Sequence, residues 1–117
     1  MKTGNRYDSL KCDILMDCAA VPATDTWTLT DNAGETVTVC CGMTSSGHYV
    51  YGYIVYWANG RTSSAQPSSD RGVFRTLRDA RLHAIGFFNI YLEYFLPSTQ
   101  ADIKAAEATL LQSKLFN

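Results

Sequence analysis

The sequence is short of the residues from which catalytic and metal sites are usually built. It holds only 2 histidines in 117 residues, His48 and His83. Neither has a carboxylate at a spacing that matches a triad, a metal motif or a zincin helix. Its 4 cysteines, Cys12, Cys18, Cys40 and Cys41, lack the CxxC spacing of zinc sites. They read as free thiols. Cys12, Cys18 and one of the vicinal pair Cys40 and Cys41 are expected to act as small core residues, with the other of the pair more exposed. Neither GxGxxG nor GxxxxGK(S/T) occurs, and Ser-rich pieces such as SSAQPSSD lack the glycine elbow that presents a nucleophile. The only loop leading into a helix, SSDRGVFRT, offers at most one phosphate contact through the helix N-terminus and Arg75. The expectation is a chain that is not an enzyme and uses no cofactor and no metal.

An excess of charge of either sign is missing too. Lys and Arg number 10 against 11 Asp and Glu, a formal net charge of -1, so any positive surface must be local. No long hydrophobic run is present. Asp8, Asp13 and Asp17 interrupt the N-terminal apolar positions where a signal peptide would be continuous, and Leu82 to Leu96 is short for a membrane span and contains Asn89 and Glu93. A soluble, cytoplasmic protein without membrane partners is expected.

What is present suits one domain: 46% of the residues are hydrophobic, enough to close a single core. Residues 7 to 19, YDSLKCDILMDCA, fit both an alternating strand and a helical stripe; their Leu, Lys, Met and Ala content favours helix. TWTLT at 26 to 30 and ETVTVCCG at 35 to 42 are β-branched runs joined by Asp31, Asn32, Ala33 and Gly34, a hairpin pattern. TSSG at 44 to 47 turns the chain into a third strand from His48 to Trp57. The polar stretch RTSSAQPSSDR from Arg61 to Arg71 reads as a mobile loop. Thr76 with Asp79 makes a capping-box-like start for a principal helix over residues 77 to 95, which Pro97 stops. Ser98 opens a last helix ending near Lys114. The predicted fold over 1–117 is therefore α+β in the order α-β-β-β-α-α: a three-stranded antiparallel meander packed against a long C-terminal helix, with an N-terminal helix and a second C-terminal helix.

The functional question is which face of the third strand is left uncovered. Its two rows are Tyr49, Tyr51, Tyr53, Val55, Trp57 and His48, Val50, Gly52, Ile54, Tyr56. Val50, Ile54 and Tyr56 are expected inside, with Gly52 admitting the long helix. Tyr49, Tyr51, Tyr53 and Trp57 would then form an aromatic stripe for protein contacts or self-association. Arg61, Arg71, Arg75 and Arg78 would add an anionic contact. The alternative is nucleic-acid binding, with bases stacked on the tyrosines and phosphates on the arginines.

The strand end WANGRTSS and the segment GVFRTLRDARLHAIG resemble small uncharacterised proteins carried on mobile elements of gut Bacteroidetes. That resemblance covers about a third of the chain and implies no assigned activity. The order α-β-β-β-α is also similar to double-stranded-RNA-binding folds, although only Arg75, Arg78 and Arg81 stand where those folds carry a lysine cluster.

Overall fold

A computed structural model describes residues 20–113. Strands β1 (Asp25–Asn32), β2 (Glu35–Met43), β3 (Tyr49–Tyr56) and β4 (Thr62–Ser68) lead through a 3-10 turn at Ser69–Arg71 to helix α1 (Leu77–Ile90). A second 3-10 turn, Leu92–Tyr94, precedes helix α2 (Pro97–Ser113). The strands make one antiparallel sheet in the order β1-β2-β3-β4. α1 lies across β2 and β3, and α2 packs on β1 and α1.

The β1–β2 hairpin closes on Ala33 and Gly34, both with positive φ (50° and 82°), as a tight two-residue hairpin turn demands. The end of β3 closes a second hairpin that the sequence reading took for a strand end. The Trp57 N–H donates to the Arg61 carbonyl at 2.8 Å and the Gly60 N–H to the Trp57 carbonyl at 2.9 Å. The chain therefore folds back at Asn59–Gly60, and Thr62–Ser68 pairs with β3.

The three-stranded expectation is thus corrected to four strands, and the loop expected over 61 to 71 is β4 followed by a short turn. TSSAQPS has little strand propensity of its own. Pairing with β3 supplies the hydrogen bonds that make it a strand. The N-terminal helix expected over residues 7 to 19 lies outside the described residues.

The principal helix is shorter than its periodicity implied. It ends at Ile90, and Tyr91 (φ -107°, ψ 17°) leads into the 3-10 turn. The residue before Pro97 is disfavoured in helical conformation. Phe95, extended at φ -92° and ψ 156°, swings inward before α2 begins. The Thr76 cap stands as read: its hydroxyl accepts from the Asp79 N–H at 3.0 Å.

Register decides which face is core. Tyr51 pairs with Cys41, Tyr53 with Val39 and Val55 with Val37, so the odd-numbered row of β3 shares a face with the valines of β2. That face packs under the helices, with Ala84, Ile85, Phe88, Phe95 and Ile103. The expected assignment is reversed. Tyr51 is only 2% exposed and Val55 equally so, whereas Tyr56 on the opposite face is 52% exposed.

Val50 is buried too, but in a small separate cluster with Val73, under Val21 of the arm that precedes β1. Gly52 does not admit a helix. A side chain there would run into the carbonyl of Ala65, because the irregular end of β4 lies directly against it. The rest of this second face carries Thr26, Thr28, Thr36, Thr38, Ile54 and Tyr56, and no described helix covers it.

Candidate ligand-binding cleft

The residues expected to form one tyrosine and arginine surface do not come together as one. Tyr49, Tyr51 and Tyr53 belong to the core side of β3. Tyr53 stacks on Phe87 with centroids 4.9 Å apart, and Tyr51 touches Phe74 and His83.

Two of the arginines hold the fold together. Arg71 Nε donates to the Tyr51 carbonyl at 3.1 Å, and its Nη2 donates to the Gln66 carbonyl and to Ser68 Oγ. Arg78 Nε donates to the Leu110 carbonyl at 3.0 Å, joining α1 to the end of α2. Arg75 and Arg61 are exposed and far apart. Arg75 follows Phe74, which bridges to Tyr49 at the start of β3, while Arg61 lies beyond its other end.

What the fold does assemble is a cleft where the end of β3, the start of β4 and the C-terminal end of α1 meet. Its inner part is a cavity of about 170 Å³ floored by Tyr53, Val55, Phe87, Phe88 and Phe95. Its outer part is a shallower cavity of about 420 Å³ rimmed by Asn59, Arg61, Thr62 and Tyr94. Trp57, Ser63 and Tyr91 line both.

The aromatics of the wall pack on one another. Trp57 lies on Phe95 at 4.6 Å with planes 16° apart, Phe88 meets Phe95 edge-on at 6.4 Å, and Phe87 meets Tyr91 at 5.2 Å. Trp57 Nε1 donates to Ser63 Oγ at 2.9 Å, which fixes the indole and leaves the serine hydroxyl hydrogen for another acceptor. The Asn59 side-chain oxygen accepts from the Arg61 N–H at 2.9 Å, so its amide hydrogens remain available to the cleft.

Both histidines lie beside neighbouring hydroxyls. His48 Nδ1 lies 3.2 Å from Ser46 Oγ in the β2–β3 turn. His83 Nδ1 lies 3.4 Å from the Tyr51 hydroxyl. Both Cys40 and Cys41 are buried, so the expectation of one exposed thiol is corrected. Cys40 faces away from the helices, is 4% exposed and lines a small cavity with Ala23, Ile54 and residues 64 to 67. Burial, with Asp25 adding a smaller push, raises both thiols, Cys41 to about 12, so both stay protonated at neutral pH. Cys12 and Cys18 lie outside the described residues. Among the described residues no group of three or more His, Cys, Asp or Glu is placed to hold a metal ion, and no helix is long and apolar enough to cross a membrane.

Comparison with models of protein families, with curated proteins and with solved structures finds no match. The two-layer arrangement, an antiparallel sheet with helices on one face, defines the class as α+β. The roles of residues therefore rest on this cleft. Tyr53, Trp57 and Arg61 of the cleft are among the binding residues expected from the sequence; Ser63, Tyr91 and Tyr94 are not. The signal that leads to them is Asn59–Gly60. Read as a hairpin turn, it returns Ser63 beside Val55 and brings residues 61 to 63 against the helix end.

Proposed function

We propose that the chain is a noncatalytic binding module that takes a segment of a partner protein into the cleft between Trp57, Tyr91 and Tyr94. The observation that carries this reading is a run of exposed apolar side chains at the C-terminal end of α1. Ile90, Tyr91 and Tyr94 are 72%, 43% and 65% exposed; Tyr91 lines the inner cavity with its aromatic floor, and both tyrosines line the outer one. Tyrosine and tryptophan are the side chains most enriched at the centres of protein interfaces, where one end is apolar and the other meets water. Nucleic acid has weaker support, because the exposed Arg61 and Arg75 lie at opposite ends of β3, about 25 Å apart at the usual rise of a strand.

Selection of a random peptide library on the native protein, countered by the Tyr94→Ser variant, tests the reading. Enrichment of aromatic-bearing peptides that Tyr94→Ser abolishes would support it. Equal enrichment on both proteins, or none, would overturn it. A light-scattering mass that rises with concentration for the native protein, and stays monomeric for Tyr94→Ser, would replace the partner protein by a second copy of this chain.

A further inference from the structure

Resting on that reading, we infer that the partner segment is acidic and presents a single aromatic side chain, its ring in the inner cavity and a neighbouring carboxylate on Arg61. Two features of the cleft select this chemistry. The first is size. An apolar cavity of roughly 150 Å³ accepts one benzene ring, and the inner cavity is about 170 Å³ with a floor of Tyr53, Val55, Phe87, Phe88 and Phe95. One ring fills it and two do not.

The second feature is the sign of the rim. Asn59, Arg61, Thr62, Ser63, Tyr91 and Tyr94 line the outer cavity with one full positive charge and no carboxylate. Glu93, between Leu92 and Tyr94, is exposed and outside that lining. The polar atoms are biased toward donation, since Ser63 Oγ already accepts from the indole and Asn59 Oδ1 from the Arg61 amide. A rim that offers donors and a guanidinium beside an apolar socket is complementary to an anion attached to a ring. A basic segment would set like charge beside Arg61, and a neutral one would leave it paired only with water.

Three blocked peptides read the inference through the indole N–H signals of the native protein in nitrogen-15 NMR. One carries phenylalanine followed by aspartate, the second has asparagine for the aspartate, and the third has alanine for the phenylalanine. The acidic peptide is expected to shift the Trp57 signal while leaving Trp27 in place, and to bind about fivefold tighter than the asparagine peptide. Arg61→Ala should erase that difference, and Arg61→Lys should keep part of it. The alanine peptide should not shift Trp57. If the acidic and asparagine peptides bind the native protein equally, or Arg61→Ala leaves their ratio unchanged, the acidic partner is wrong while the cleft stands. If no ring-bearing peptide moves Trp57, the cleft itself is not the binding site and both conclusions fall.

Discussion

Trp57 lies flat on Phe95, centroids 4.6 Å apart and planes 16° from parallel. This contact joins the last residue before the β3–β4 turn to the last residues before α2. The same pair forms one wall of the cleft, so the site and the packing of α2 share a support.

Phe95 is 4% exposed and its neighbour Tyr94 is 65% exposed. Phe95→Ala is therefore expected to cost about 3 to 5 kcal/mol in urea unfolding, and Tyr94→Ser less than about 0.5 kcal/mol. A large loss from Tyr94→Ser would mean that this ring is packed rather than presented.

The inward row of β3 makes an equally direct prediction. Tyr51→Ala removes a core ring that is 2% exposed, while Tyr56→Ala trims one that is 52% exposed. The first should destabilise by about 3 to 5 kcal/mol and the second by under about 1 kcal/mol. The reverse order would restore the opposite face as the core.

Ala33 holds φ at 50° in the β1–β2 turn, where a Cβ crowds the backbone. Glycine pays no such steric penalty. Ala33→Gly should raise the unfolding midpoint, with a gain of up to about 1 kcal/mol after the added freedom of the unfolded chain is offset. An unchanged or lowered midpoint would show that the turn carries no strain.

The carboxyl of Asp102 accepts from Thr30 Oγ1 and from Asn32 Nδ2, each at 2.7 Å, tying α2 to β1. These hydrogen bonds, the Thr30 bond first, hold its pKa below the usual 3.8. A folded-state pKa below the unfolded one contributes stability that is present above the unfolded value and is lost as pH falls through the folded value. Below about pH 3.8 the native protein should therefore lose stability more steeply than Asp102→Asn, which has no such proton to take up. Parallel acid limbs in pH-dependent urea titrations would refute this.

Much of the fold was legible, and the parts that were not have particular causes. The β1–β2 hairpin shows in its alternating threonines and valines and in Ala33–Gly34, and α1 shows in Thr76 and its apolar spacing. β4 was hidden because Thr62 to Ser68 contains no large apolar residue, so only its pairing with β3 distinguishes it from a loop. The faces of β3 were misjudged because each row taken alone is apolar enough to be core. The information lay one strand earlier. In β2 only Val37 and Val39 can be inward against Thr36 and Thr38, and the turn at 44 to 47 pairs odd residues with odd. Of the cleft, Tyr53, Trp57 and Arg61 are among the residues the sequence singles out, Tyr53 as part of an open stripe where it is in fact the floor. Ser63, Tyr91 and Tyr94 required knowing that the chain reverses at Asn59–Gly60 and that α1 stops at Ile90.

β4 is fastened unequally. At its Ser68 end the Arg71 guanidinium grips the Gln66 carbonyl and Ser68 Oγ, and the Val21 N–H donates to the Pro67 carbonyl at 2.9 Å. At its Thr62 end, among the described residues, the pairing with β3 across the hairpin and the Trp57–Ser63 hydrogen bond hold it. Opening of the strand should then begin beside the cleft and stop at the arginine, giving a gradient of amide exchange that slows from Thr62 toward Ser68. A ligand seated between Trp57 and Tyr91 would slow the fast end and leave the slow end unchanged, so the wall that meets the partner is also the part of the sheet with the most left to gain from being occupied.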